Sequence, residues 1–291
     1  MSEQILDKSP GMLGLFGKAA LGTIPVLSTL PVIGATRAPD VSDEVLVLKD
    51  VTVDADRLIA YSNVCGFTVL ETLPVTYPHM LAFPLHLKLM TEPTFPFPAI
   101  GMVHIYNKIT VHRPLQASET FEIRVHAEPL VDHPRGKAAT VVTKVLVDGK
   151  AVWEEISTNL RIGRSNDGAT APSVDSAAEL PFAAEWKLPA DLGRRYAAVS
   201  GDYNPIHIHA LSAKAFGFKS AIAHGMWTKA RCLAQLEPEL PGAYSVEVAF
   251  KRPVLLPATV AFSESAADDG IAFGVKDARK GTQHLDGRVS F

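Results

Sequence analysis

Cysteine is scarce: Cys65 and Cys232 are the only two in 291 residues, one in each half, and neither sits in a Cys-x-x-Cys or Cys/His cluster. That excludes a disulfide framework and a thiolate zinc site, and it suits a reducing compartment such as the cytoplasm. No stretch collects the Lys and Arg that a phosphate backbone requires, and the formal net charge is −3. Nucleic acid is therefore not an expected partner. An uninterrupted apolar run long enough for a membrane helix is also missing. The nearest approach, residues 11–35, is broken by Lys18, Pro25 and Pro31 and preceded by Glu3 and Asp7, where a secretion signal carries positive charge. Secretion is not expected. The segment reads as packed on the protein body; a short amphipathic helix at 11–21 touching a membrane surface is the alternative.

What is present is the composition of a folded globular chain, 47% hydrophobic and 20% charged. A break at about 163–183, rich in Gly, Ser, Ala, Asp and Pro and without hydrophobic period, reads as a linker. It divides the chain into an extension (1–44), a first half (45–163), the linker (164–183) and a second half (184–291). The halves look alike. Tyr61-Ser-Asn-Val-Cys-Gly66 matches Tyr196-Ala-Ala-Val-Ser-Gly201 at an offset of 135, and His112-Arg-Pro-Leu115 matches Lys251-Arg-Pro-Val254 at 139. Two matches in the same order at nearly one offset point to a duplicated unit.

Each half shows the same order of elements. In the first, a strand at Glu44–Leu48 precedes a helix at Ala55–Val64 that Asp54 can cap. A second apolar helix follows at about 79–91, then four β-like runs at 101–113, 119–131, 138–148 and 150–162. Asp148-Gly149 marks a hairpin between the last two. The second half gives helices at 191–199, about 209–217 and about 225–236, then strands to the end with a hairpin at Asp269-Gly270. The expected class is α+β, a long helix against an antiparallel sheet, twice.

The chemistry concentrates in Tyr196–Met226. Asp202, Asn204 and His207 stand within six residues, and Pro205 pushes Asn204 away from helical geometry, so the segment reads as a tight loop between helices. A loop that curls back can bring Asp202 and His207 to one water. Such a pair suits the addition of water across a polarised double bond, where a proton leaves the water and a proton reaches the neighbouring carbon. Charge on the activating carbonyl oxygen must also be held. The candidate donor is the N–H of Gly225, which opens the helix at 225–236.

The same stretch closely resembles the hydratase-2 signature of the MaoC-like family. Tyr196, Ser200, Gly201, Asp202, Asn204, Pro205, Ile206 and His207 match its first block, and Gly217, Phe218, Ile222, His224, Gly225 and Met226 its second. The resemblance implies a double hot-dog fold and interconversion of trans-2-enoyl and (R)-3-hydroxyacyl thioesters without metal or redox cofactor. It implies Asp202 and His207 as the acid/base pair, Asn204 as polar support and the Gly225 N–H as oxyanion donor. Acyl-CoA or acyl-carrier-protein thioesters are the implied substrates, and fatty acid metabolism the setting. Tyr196, Ser200, His224, Met226, Phe83 and Arg252 are candidate substrate contacts, and the protein is expected as a monomer or homodimer. The first half has Gly66-Phe67 where the second has Gly201-Asp202, so it is expected to be non-catalytic, with its apolar run 76–90 widening an acyl-tail tunnel.

Plainer readings stand beside these. His207-Ile-His209 has the look of a metal pair, but no third ligand is spaced nearby, and His209 reads as the start of the next helix. His224 reads as fixing the turn before its helix, with proton transfer as the alternative. Lys251-Arg252 fits a CoA phosphate contact or a solvated strand end equally well, and Cys232 fits buried packing. Two other functions are weighed: a hot-dog acyl-thioesterase, which the Asp-x-Asn-Pro-x-His loop disfavours, and a non-catalytic acyl-thioester-binding protein, which intact Asp202 and His207 disfavour.

Overall fold

Along Phe121–Ala127 buried and half-buried residues alternate without interruption, the signature of a strand with one face on a core. Such strands dominate the computed structural model, which describes residues 2–21, 41–174 and 179–291. The first half runs β1 (Ser2–Leu6), α1 (Met12–Leu21), β2 (Glu44–Val51), α2 (Ala55–Cys65), α3 (Tyr77–Thr91), β3 (Met102–Val111), β4 (Phe121–Ala127), β5 (Val131–His133), β6 (Gly136–Val147) and β7 (Lys150–Ile162). There follow β8 (Phe182–Leu188), α4 (Leu192–Ser200), α5 (Pro205–Ile208), α6 (Ala210–Ala215), α7 (Gly225–Leu236), β9 (Tyr244–Phe250), β10 (Ala258–Ala267), β11 (Gly270–Asp277) and β12 (Gln283–Ser290).

The chain divides into two compact units, each drawn from separate stretches. The first takes the residues up to Thr52, His79–His104 and Thr120–Ala171. Its strands run β1-β2-β4-β6-β7 with β5 on β6, antiparallel except for the parallel pair β1–β2. Helix α3 is apolar nearly all round, as a fully buried helix must be, and buries Met80, Leu85, Leu87 and Leu89. Each such side chain contributes about 1.5–3 kcal/mol. Two histidines fix α3 to its sheet: His79 Nδ1 lies 2.8 Å from Glu155 on β7, and His86 Nε2 lies 2.6 Å from Thr143 on β6.

The second unit takes Val53–Pro78, Ile105–Glu119 and Pro172–Phe291. Its strands run β3-β9-β12-β11-β10-β8, all antiparallel. Helix α7 buries Met226, Trp227, Ala230, Cys232, Leu233 and Leu236. Its wholly buried Lys229 donates to Asn107 Oδ1 (2.6 Å) and to the Val246 carbonyl (3.1 Å), which ties the helix to β3 and β9. A long helix on an antiparallel sheet in each unit is the expected α+β, double hot-dog arrangement.

Local expectations meet particular outcomes. Asp54 caps α2 by accepting from the Arg57 N–H at 2.8 Å. Asp148 and Gly149 both adopt positive φ at the β6–β7 turn, as a two-residue hairpin requires. Both cysteines are free and buried. The repeated Tyr…Gly hexapeptides are one device used twice: Gly66 (φ 86°) and Gly201 (φ 80°) are left-handed C-caps whose N–H groups bond back to Ser62 and Ala197. Strand β8 was not expected, because Phe-Ala-Ala-Glu-Trp-Lys-Leu contains no β-branched residue. Strand β1 was not expected either, since its partner β2 lies about forty residues away. The apolar run 11–35 is described only as far as Leu21. There Ala19 is buried, Leu13 is exposed, and Lys18 pairs with Glu92 at 3.4 Å; Pro25 and Pro31 lie outside the described residues. Among the described residues no helix is long and apolar enough to cross a membrane.

Candidate active site

Helix α4 ends at Ser200, and left-handed Gly201 turns the chain sharply. The Ser200 hydroxyl accepts from the Asp202 N–H (3.0 Å), and the Asp202 carboxylate accepts from the Asn204 N–H (3.1 Å). Asn204 is extended (φ −55°, ψ 125°), as the following proline demands, and its side chain caps the Ile206 N–H. The expected plain loop therefore contains one helical turn, α5, because Pro205 at its first position is already set for helix and Asn204 supplies the cap. That turn carries the imidazole of His207 inward.

His207 Nδ1 donates to the Ile222 carbonyl at 2.9 Å, since a carbonyl can only accept. In the neutral ring the hydrogen is thereby placed on Nδ1 and the lone pair on Nε2. His207 is buried, and burial pushes its pKa below the usual histidine value; the charge of Asp202 and the bond to Ile222 offset this in part. A neutral ring with a free lone pair is the state of a general base.

His224 completes the cluster. Its Nε2 donates to the Asp202 carbonyl (3.0 Å) and lies 3.7 Å from Asp202 Oδ2. Its buried Nδ1 has no hydrogen-bond partner among the described residues. The ring stacks on His207 with centroids 3.7 Å apart and meets Tyr196 at 4.8 Å. Burial first, and then His207, hold its pKa well below normal. One carboxylate oxygen of Asp202 and one ring nitrogen each of His207 and His224 lie within 4.8 Å of one another. The third ligand-type side chain absent from the His207–His209 spacing is thus His224. His209 instead caps α6, accepting from the Leu211 N–H.

His224 is also the N-cap residue of α7 and makes no side-chain cap bond. The first amides of α7, beginning with Gly225, are therefore left for another acceptor, with the helix dipole behind them. A Cβ at Gly225 would stand 3.1 Å from the Phe250 ring, so glycine permits the close fit there. Helix α3 begins Tyr77-Pro78, and a proline has no amide hydrogen to offer.

Two supporting residues escaped the sequence reading. Arg57 on α2 donates through Nε to the Val199 carbonyl (2.9 Å) and through a terminal nitrogen to that of Ser200 (3.2 Å), holding the end of α4 just before Asp202. Gly193 on α4 faces the His207 carbonyl so closely that a Cβ would stand 2.0 Å from it. Both act across long sequence separations, and no local pattern announces them. Of the other expected contacts, Tyr196, Ser200 and Met226 are buried beside the cluster's elements. Phe83 belongs to the first unit, on α3, where its ring lies 6.0 Å from that of His79. Arg252 is exposed and accepts at its carbonyl from His284, while Lys251 pairs with Asp286 at 3.2 Å. Phe67 is buried directly after the Gly66 cap, in the position that Asp202 holds after Gly201.

The family model described as MaoC like domain matches residues 173–287. Across the chain, 36% of residues are identical to 3-hydroxyacyl-thioester dehydratase X of Mycobacterium tuberculosis over 274 residues, 94% of this chain and 95% of that protein. The chain belongs to the MaoC-like dehydratase family. The crystal structure of HtdX of Mycobacterium tuberculosis matches with a TM-score of 0.76 over 84% of this chain and 98% of that one, at 36% identity. A MaoC-like dehydratase of Phytophthora capsici matches in fold with a TM-score of 0.71 at 20% identity, over 88% of this chain and 96% of that one. Within this MaoC-like chain, the family model covers the segment that holds Asp202, His207, His224 and Gly225.

Proposed function

We propose that this MaoC-like protein is a hydro-lyase that reversibly hydrates trans-2-enoyl thioesters to (R)-3-hydroxyacyl thioesters. The observation that carries the reading is the convergence of the Asp202 carboxylate and the buried, neutral His207 imidazole near the uncapped start of α7. The 36% identity to a 3-hydroxyacyl-thioester dehydratase over nearly the whole chain supports the same reaction class.

The steps balance with these groups alone. A water held by Asp202 and His207 adds its oxygen to C3 of the enoyl group while His207 Nε2 takes one of its protons. Negative charge moves to the thioester oxygen, where the Gly225 N–H receives it; one such donor is worth about 10²–10³ in rate. The imidazolium, steadied by Asp202, then gives a proton to C2, and the enzyme returns to its starting state. Dehydration runs the same path backwards. The reaction as written calls on no redox cofactor.

Asn204 shapes the loop, and Tyr196, Ser200, His224 and Met226 line or support the thioester's seat. Phe83 serves the acyl tail and Arg252 the carrier's phosphate. Residues 45–163 form the non-catalytic half that accommodates tails of medium or greater length, and residues 184–291 the catalytic one. The protein works as a monomer or homodimer on CoA- or carrier-protein-linked chains in the cytoplasm, in fatty acid metabolism.

The experiment is a chain-length series of enoyl-CoAs with chiral analysis of the product and a parallel thiol assay. The expected product is the (R)-3-hydroxyacyl thioester without thiol release. Free thiol from saturated acyl-CoA would indicate a thioesterase, and tight binding without turnover an acyl-thioester-binding protein.

A further inference from the structure

The first unit holds a second cluster of chemically capable side chains. His79 and His86 stand seven residues apart on α3, two helical turns on one face, with ring centroids 5.3 Å apart and planes at 82°. Between them lies the carboxylate of Glu155 on β7. Its oxygens are 2.8 and 2.9 Å from His79 Nδ1, and one of them is 3.9 Å from His86 Nε2. All three residues are buried, and one donor atom from each lies within 4.8 Å of the other two. Thr143, directly opposite Glu155 in the β6–β7 ladder, sets its hydroxyl 2.6 Å from His86 Nε2.

Helix packing does not require such a group. The rest of α3 meets its surroundings with Met80, Leu85, Leu87 and Leu89, and apolar side chains of similar volume usually serve as well as or better than a buried ionic cluster. Two imidazole nitrogens and one carboxylate oxygen are, however, the donor set of a zinc-class cation. Tetrahedral coordination at about 2.0–2.1 Å places donors about 3.3 Å apart, which these atoms reach by moving less than about 1 Å each. The donors come from one helix and one strand in the interior of a sheet, so the site is held by rigid elements.

We propose that His79, His86 and Glu155 bind one divalent transition-metal ion, separate from the Asp202 cluster, which locks α3 to β7 within the first unit. Coordination moves the His79 hydrogen from Nδ1 to the other ring nitrogen and exchanges the His86–Thr143 bond for a bond to the ion. The role is structural and makes no claim on the hydration chemistry.

The test uses the intact chain, stripped with chelator and titrated with Co²⁺ while visible absorption is recorded, followed by displacement with Zn²⁺. Wild type is expected to take up one equivalent of Co²⁺ with d–d bands and to gain thermal stability with Zn²⁺. His207→Ala is expected to retain that uptake, and His86→Ala and Glu155→Gln, checked for folding by circular dichroism, to lose it. Failure of folded wild-type protein to bind overturns the proposal without recourse to any variant. Uptake that His207→Ala abolishes, or that survives both unit-one substitutions, overturns it equally.

Discussion

The imidazole of His207 lies face to face with that of His224, centroids 3.7 Å apart and planes inclined by 25°. Both rings are buried, and a charge on one disfavours a charge on the other. The pair is therefore built to be neutral, with one lone pair directed to chemistry and the other ring bonded to the Asp202 carbonyl.

This has a pH consequence. Unfolded histidine titrates near about 6.5, and burial chiefly depresses both folded values. The unfolded chain thus binds protons more readily, so the contribution to stability is complete above about pH 6.5 and is lost as pH falls toward the folded values. Urea midpoints are expected to fall between pH 7.5 and 5.5, and kcat/KM to decline on an acid limb centred below about 6.5. Midpoints unchanged over that range, or an acid limb of kcat/KM centred above about 6.5, would contradict the neutral pair.

The role of the Gly225 amide is separable from its shape. Gly225→Ala and Gly225→Pro both add a Cβ against Phe250, but only proline removes the N–H, and a first helical position tolerates it. His224 is already extended (φ −65°, ψ 137°), as a residue before proline must be. Relative to the alanine variant, proline is expected to lower kcat by about 10²–10³. Equal rates in the two would remove the amide from the mechanism.

Gly193 tests the seat of His207. An alanine there places a Cβ 2.0 Å from the His207 carbonyl, which forces α4 and α5 apart. Overpacking of this kind costs about 1–3 kcal/mol, and kcat is expected to fall further than stability alone explains. A variant with wild-type kcat and midpoint would show that the contact is not needed.

Arg57→Ala removes the donors to the Val199 and Ser200 carbonyls. Charged hydrogen bonds contribute about 1.5–3 kcal/mol each when buried; at this half-buried position a total loss of about 1–2 kcal/mol is expected in urea unfolding. Arg57→Lys is expected to recover part of it. Unchanged stability would show the clamp to be idle.

Much of this was legible in the residues because the information is local. Asp54, Gly66, Gly201 and Asp148-Gly149 act on their own few neighbours, so their cap and turn geometry follows from side-chain chemistry alone. Asp202 and His207 were legible for the same reason, being five positions apart on one short segment. The long-range partners were not. Ile222 fixes the tautomer of His207 from fifteen residues away, Arg57 reaches Ser200 across 143, and nothing in either neighbourhood marks the pairing. Strand β8 escaped because its membership rests on pairing with β10, not on intrinsic strand preference. The buried group of His79, His86 and Glu155 escaped because helix and strand meet only in the folded unit.

One measurement bears on the whole account. Hydration of crotonyl-CoA and trans-2-decenoyl-CoA is followed for wild type, Asp202→Asn and His207→Ala, with folding checked for each. Loss of the acid/base pair is expected to reduce kcat by about 10²–10⁴ in both variants, with the (R) product formed only by wild type at a measurable rate. Wild-type turnover in both variants would contradict the assignment of this site.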